Sequence, residues 1–169
     1  MTSPADPAPA ALRTPAHRVS PRARGYWRTN ALLGAVVGWI ALGVGYAVLP
    51  HREWWATTLL VVLVALSLLH AAVMPEIRFR IHRWEVTPTA VHTRSGWITR
   101  EERIAPLSRV QTVDSEQGAL MRLFRLASLT VTTASAAGPV TIACLDRDVA
   151  ARVVAELTEI TGTTEGDAT

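Results

Sequence analysis

The chain has 169 residues, 49% of them apolar, with 17 basic residues, all arginine, against 14 acidic ones. The single cysteine, Cys144, excludes an intramolecular disulfide, and the length holds one medium domain. The mean hydropathy of +0.22 is unevenly spread and describes neither half of the chain.

Residues 1–30 read as a basic amino-terminal tail. The stretch up to Ser20 is rich in Pro and Ala, lacks apolar periodicity and cannot bury enough surface to offset the entropy of ordering, which predicts disorder. Two runs follow. Ala31 to Leu49, ALLGAVVGWIALGVGYAVL, carries no charge, and Trp54 to Met74, WWATTLLVVLVALSLLHAAVM, carries only the titratable His70. Each is roughly 20 residues, enough as a helix to cross a hydrocarbon layer of about 30 Å. A helix of a soluble bundle keeps a polar stripe, and a secretory leader starts closer to the amino terminus. The pair is therefore predicted to be a transmembrane hairpin (31–49, 54–74) joined by Pro50, His51, Arg52 and Glu53.

Arginines 13, 18, 22, 24 and 28 precede the first helix, and 78, 80 and 83 follow the second, while the turn has only Arg52. Basic residues collect on cytoplasmic flanks, so both termini are expected in the cytoplasm. Tyr26, Trp27, Trp54 and Trp55 are expected at the headgroup layers. Gly34 and Gly38, then Ala41 and Gly45, give the small-residue spacing that lets helices approach closely. The second helix of the hairpin is their first candidate partner, another membrane subunit the second. His70 lies near a helix end and is expected to reach towards the interface as a neutral ring.

Residues 75–161 carry other periods. Ile77, Phe79 and Ile81 alternate with polar residues as a strand with one buried face would. After Arg83 the parity flips to Trp84 and Val86, as a bulge would produce. AVHTRSGWITREERIAP gives two strands about the Ser95–Gly96 turn, with Ile98 and Ile104 as apolar anchors and a charged stretch at Arg100 to Arg103. A strand over Val110 to Glu116 leads into a short helical knot, Leu120, Leu123, Phe124 and Ala127, expected to pack a sheet end, with a membrane-surface helix as the alternative. Strands over Ser128–Ala134 and Val140–Leu145 follow, the latter holding Cys144 as a small buried residue. Asp146 is placed to cap a last helix whose Val149, Ala150, Val153, Val154 and Leu157 share a face. Residues 162–169 read as a disordered polar tail. The fold class is α+β: a two-helix transmembrane hairpin followed by a small antiparallel β-barrel domain with a carboxy-terminal helix.

The run from Trp84 to Leu157, with RSGWITREERIAPLSRVQTVD, then QGALMRLFRLASLTVTTAS, then VTIACL and the helix, resembles the bacterial pleckstrin-homology-like membrane proteins of the YdbS type. The helix hairpin ahead of a cytoplasmic domain fits that family too. The resemblance implies this architecture as a multi-pass protein of the bacterial inner membrane and brings no catalytic residues to transfer.

His82 and His92 lack the spacing of a nucleophile or metal site, and Glu101 and Glu102, adjacent on a strand, point to opposite faces. No catalytic residue, cofactor or metal is predicted. The basic balance is explained by the membrane flanks and is not interleaved with aromatics, which disfavours nucleic acid. The expected role is a non-enzymatic binding or assembly module whose partners are the bilayer and a membrane protein of the same family. The alternative is recognition of an anionic lipid headgroup by Arg78, Arg80, Arg83 and Arg94. A hydrolase using His82 or His92 ranks last.

Overall fold

The computed structural model describes residues 14–51, 53–134 and 138–166. Arg13 with the rest of the first thirteen residues, Arg52 of the turn, Ser135, Ala136 and Ala137, and residues 167–169 lie outside the described residues. Among the described residues the chain forms β1 (His17–Arg18), α1 (Ala23–Val48), α2 (Trp54–Ile81), β2 (Arg83–Val86), β3 (Ala90–Gly96), β4 (Arg100–Pro106), β5 (Val110–Glu116), α3 (Ala119–Leu123), β6 (Leu126–Thr133), β7 (Val140–Asp146) and α4 (Arg147–Gly166).

Helices α1 and α2 are long and apolar enough to cross a membrane, and their apolar spans are almost wholly exposed to the surroundings. They face each other through polar-tipped side chains. The Trp39 indole Nε1 donates to Ser67 Oγ at 2.8 Å, and the Tyr46 and Thr57 hydroxyls share a bond of 2.7 Å. These groups have no water to turn to in hydrocarbon, so the residues that carry them face the partner helix. This corrects the first candidate partner of the small residues, the second helix of the hairpin. Gly34, Gly38, Ala41 and Gly45 are exposed, and a Cβ added at any of the three glycines would meet nothing within 4 Å. Ala41 and Gly45 border an apolar groove of about 320 Å³ between the far ends of the helices and make no tight contact there.

The domain is built from both sides of this hairpin. One antiparallel sheet has the order β1-β2-β3-β4 and the other β5-β6-β7. His17 pairs with Trp84 and Arg18 with Arg83, so the membrane hairpin is inserted between two adjacent strands of one sheet. Residues 14–30, expected in a disordered tail, are thereby ordered. Val19, Ala23 and Trp27 are buried in the domain core, a contact that compensates ordering and that local composition does not reveal.

Three more expectations are corrected. Ile77 to Ile81 is helix, since α2 continues through the buried Pro75 to the β2 junction. Its last turns are held by Glu76, which pairs with Arg24 and Arg28 of α1, and by the His82 N–H, which donates to the Arg78 carbonyl at 2.9 Å. Ile98, Ile104 and Leu123 are 78%, 44% and 76% exposed, so they anchor no core. The backbone of α4 stays helical to Gly166, into the stretch read as a tail.

The core lies between the sheets and under α4. Leu126, Leu129, Val131, Ile142, Leu145, Val91 and Leu157 are nearly or wholly buried. Ala127, Leu129, Val131 and Thr133 alternate inwards along β6, while Ala150, Val153 and Leu157 present one buried face of α4. Ala127 pairs with Leu145 but Leu129 with Ile142, so β7 carries one extra residue. That bulge holds Cys144 at φ 56, a left-handed conformation. It releases the Cys144 carbonyl to accept from the Ser20 N–H at 3.0 Å, which seats the segment leading into α1.

Candidate functional site

The membrane helices meet the domain at a small cluster around Trp27. The Arg78 guanidinium lies over the Trp27 ring at 4.8 Å, and the His82 ring sits 5.2 Å from it, tilted. His82 Nδ1 lies 2.9 Å from the Arg78 carbonyl, and Arg78 Nε donates to His82 Nε2 at 3.4 Å. This fixes the neutral tautomer with the proton on Nδ1. Burial first, and the Arg78 charge second, lower the His82 pKa to about 4, against a smaller opposing effect of the Arg78 carbonyl. Burial likewise raises the Cys144 thiol to about 11, in spite of Arg78 and a hydrogen bond from Trp27. Both groups are neutral at physiological pH, and neither is poised for proton transfer or nucleophilic attack. Trp27, expected in the headgroup layer, is 4% exposed and serves as the hub of this junction. A Trp beside an arginine-rich flank reads the same way in either role, so the sequence carried no signal to separate them.

Around the hub, Asp146 Oδ1 accepts from Ser20 Oγ at 2.9 Å and from Arg22 Nη1 at 3.0 Å. Phe79 is flanked by the guanidinium groups of Arg24 at 4.7 Å and Arg18 at 6.0 Å. Gly25 admits the Phe124 ring so closely that a Cβ there would stand 2.9 Å from it, and Phe124 meets Tyr26 edge-on. The knot at α3 thus braces the base of α1.

The four arginines proposed from sequence do not converge. Arg78 is stacked on Trp27, while Arg83 donates to the Pro15 carbonyl at 3.4 Å. Arg94 pairs with Glu102 across the β3–β4 ladder and also reaches Thr14. Arg80 is exposed. Arg83 and Arg94 are direct cross-strand neighbours, so their positions are linked, but each has a partner within the domain. His92 is buried, and its Nε2 has no hydrogen-bond partner among the described residues. Glu101 pairs with Arg103, apart from the Glu102–Arg94 pair. Among the described residues no group of three or more His, Cys, Asp or Glu could hold a metal.

A groove of about 330 Å³ runs beside β4, lined by Glu101 to Pro106 with Thr133, Gly138 and Val140. Six consecutive residues line it, which is how the edge of a strand, and not one of its faces, borders a space. Among the described residues β4 is the outer strand of its sheet and pairs only with β3. The Arg103 guanidinium closes one side by donating to the Pro139 carbonyl at 3.2 Å. The charged stretch is legible in the sequence but the groove is not, because its far wall comes from Thr133, Gly138 and Val140, about 30 residues on.

Comparison with known proteins places this arrangement. A family model described as a bacterial PH domain matches residues 29–161. The UPF0699 transmembrane protein YdbS of Bacillus subtilis (strain 168) is 30% identical over 125 residues, which span 72% of this chain and 78% of that protein. No solved structure matches the chain. With two apolar helices set into a two-sheet domain closed by a carboxy-terminal helix, and with the match running through both, the chain belongs to the bacterial PH domain family and is a transmembrane protein.

Proposed function

We propose that this protein is a multi-pass membrane protein, both termini cytoplasmic, that presents its PH-like domain as a non-enzymatic docking module for another membrane protein of its family. The observation that carries this reading is the outer edge of β4, which pairs with no strand but β3 among the described residues, and the groove beside it. An unpaired edge offers a row of backbone donors and acceptors, and an extended segment of a partner adds to it as a further strand. Ile104, 44% exposed, supplies an apolar contact beside the edge. The headgroup alternative draws support only from Arg80, since Arg78, Arg83 and Arg94 are engaged within the domain.

The test uses the full chain with Ile104→Glu, purified from membranes in mild detergent. The reading predicts loss of co-purifying family members while the thermal melt stays close to that of the parent. Unchanged recovery of the same partners would refute docking through β4.

A further inference from the structure

Trp97 and Ile98 form the tip between β3 and β4, and burial gives no reason for either. Trp97 is 40% exposed and Ile98 78% exposed. The turn has a fixed shape, because Gly96 has φ +116 and a Cβ there would stand 1.8 Å from the Thr99 carbonyl oxygen.

Two independent observations locate this tip. Arg94 lies opposite Arg83, the first residue of β2, so Ser95, Gly96 and Trp97 overrun the start of β2 by about 10 Å at roughly 3.3 Å per residue. The Trp97 ring also meets the His70 ring edge-on at 5.3 Å. His70 lies about 9 Å along α2 from Glu76, at about 1.5 Å per residue, in the direction of the membrane span. Glu76, paired with Arg24 and Arg28 of α1, marks the last charges before both apolar spans on the domain side. The tip therefore stands beside the apolar part of α2, beyond that ring of charge.

We propose that the β3–β4 tip is a third membrane contact, with Trp97 in the headgroup layer and Ile98 dipping into the acyl chains of the leaflet that faces the domain. The headgroup layer is on the order of 5–8 Å thick, so a tip about 9 Å past the charged ring reaches the boundary of the hydrocarbon. An indole favours that layer, and Arg100, exposed at the foot of the turn, lies where anionic phosphates attract a cation. Continuity with the exposed apolar surface of α2 makes lipid the occupant. The consequence is mechanical: two helices and a separate tip fix the tilt of the domain, so β4 runs from the membrane surface into the cytoplasm. This inference rests on the transmembrane hairpin and not on docking through β4.

The test is collision accessibility of a nitroxide in the full chain, reconstituted alone in phosphatidylcholine–phosphatidylglycerol vesicles. Labels are placed through Ile98→Cys at the tip, Ser115→Cys as aqueous reference and Val62→Cys as bilayer reference; protein without an added cysteine corrects for Cys144. The expected result at 98 is severalfold greater preference for oxygen over a water-soluble nickel chelate than at 115, with a depth between the two references. Accessibility to the chelate equal to that at 115 would overturn the proposal, and so would low accessibility to both quenchers, the mark of burial against protein. If the label at 98 disturbs folding, Thr99→Cys gives the same reading from the neighbouring exposed position.

Discussion

His82 shows how a single side chain at the junction ties stability to pH. Its pKa of about 4 lies below the ordinary value of 6.5, so between these limits the unfolded chain binds a proton that the folded chain refuses. Stability is therefore full above pH 6.5 and falls as pH drops towards 4, by at most about 3 kcal/mol for this residue. Denaturant unfolding at several pH values should show a shallower decline across this window in His82→Gln than in the parent. Equal slopes would assign the loss to other groups. Cys144 makes a companion prediction. With its thiol raised to about 11 and buried, the folded protein should resist alkylation at pH 8 and react promptly once unfolded. At Gly96 the issue is steric. Gly96→Ala forces a Cβ into the Thr99 carbonyl and should destabilise by roughly 1–3 kcal/mol, read from the unfolding midpoint.

At the scale of elements, the seating of β1 and the start of α1 depends on Asp146 and the β7 bulge. Asp146→Ala removes the acceptor for Ser20 Oγ and Arg22, and should cost about 1–2 kcal/mol, with faster amide exchange at residues 17–22 than elsewhere in the domain. Exchange accelerated uniformly would mean that the segment is not a separate unit. The elements also show what a sequence can carry. The apolar spans of α1 and α2 are legible because a continuous run of that length has few other solutions. β6 and α4 are legible because their periods persist over seven or more residues, and β7 because Val140, Ile142 and Cys144 alternate up to the bulge. β1, only two residues long, has no period, and its partner lies beyond the whole hairpin. Ile77, Phe79 and Ile81 alternate over five residues, too few to separate a strand from the end of a helix whose last turns are fixed by Glu76 and Arg78. Ile98 and Leu123 were assigned to the core because apolar character alone does not tell lipid-facing, partner-facing and buried positions apart.

For the whole molecule, inserting a membrane hairpin between β1 and β2 makes the anchor part of the sheet and not an appendage to it. The Trp27–Arg78–His82 cluster joins the bases of both helices to the domain core. With both termini cytoplasmic, as proposed, His51→Cys should react in intact cells with a membrane-impermeant thiol reagent from outside, while tags at both ends stay protected until the membrane is opened. The central claim, that the edge of β4 is where a partner protein binds, is tested most directly by photocrosslinking in native membranes, with the reactive residue placed at Ile104 and, separately, at Ser115 on β5, and the adducts identified by mass spectrometry. A protein adduct from the same membrane family is expected at 104 and none at 115. Lipid adducts alone at 104, or equal protein adducts at both positions, would contradict it.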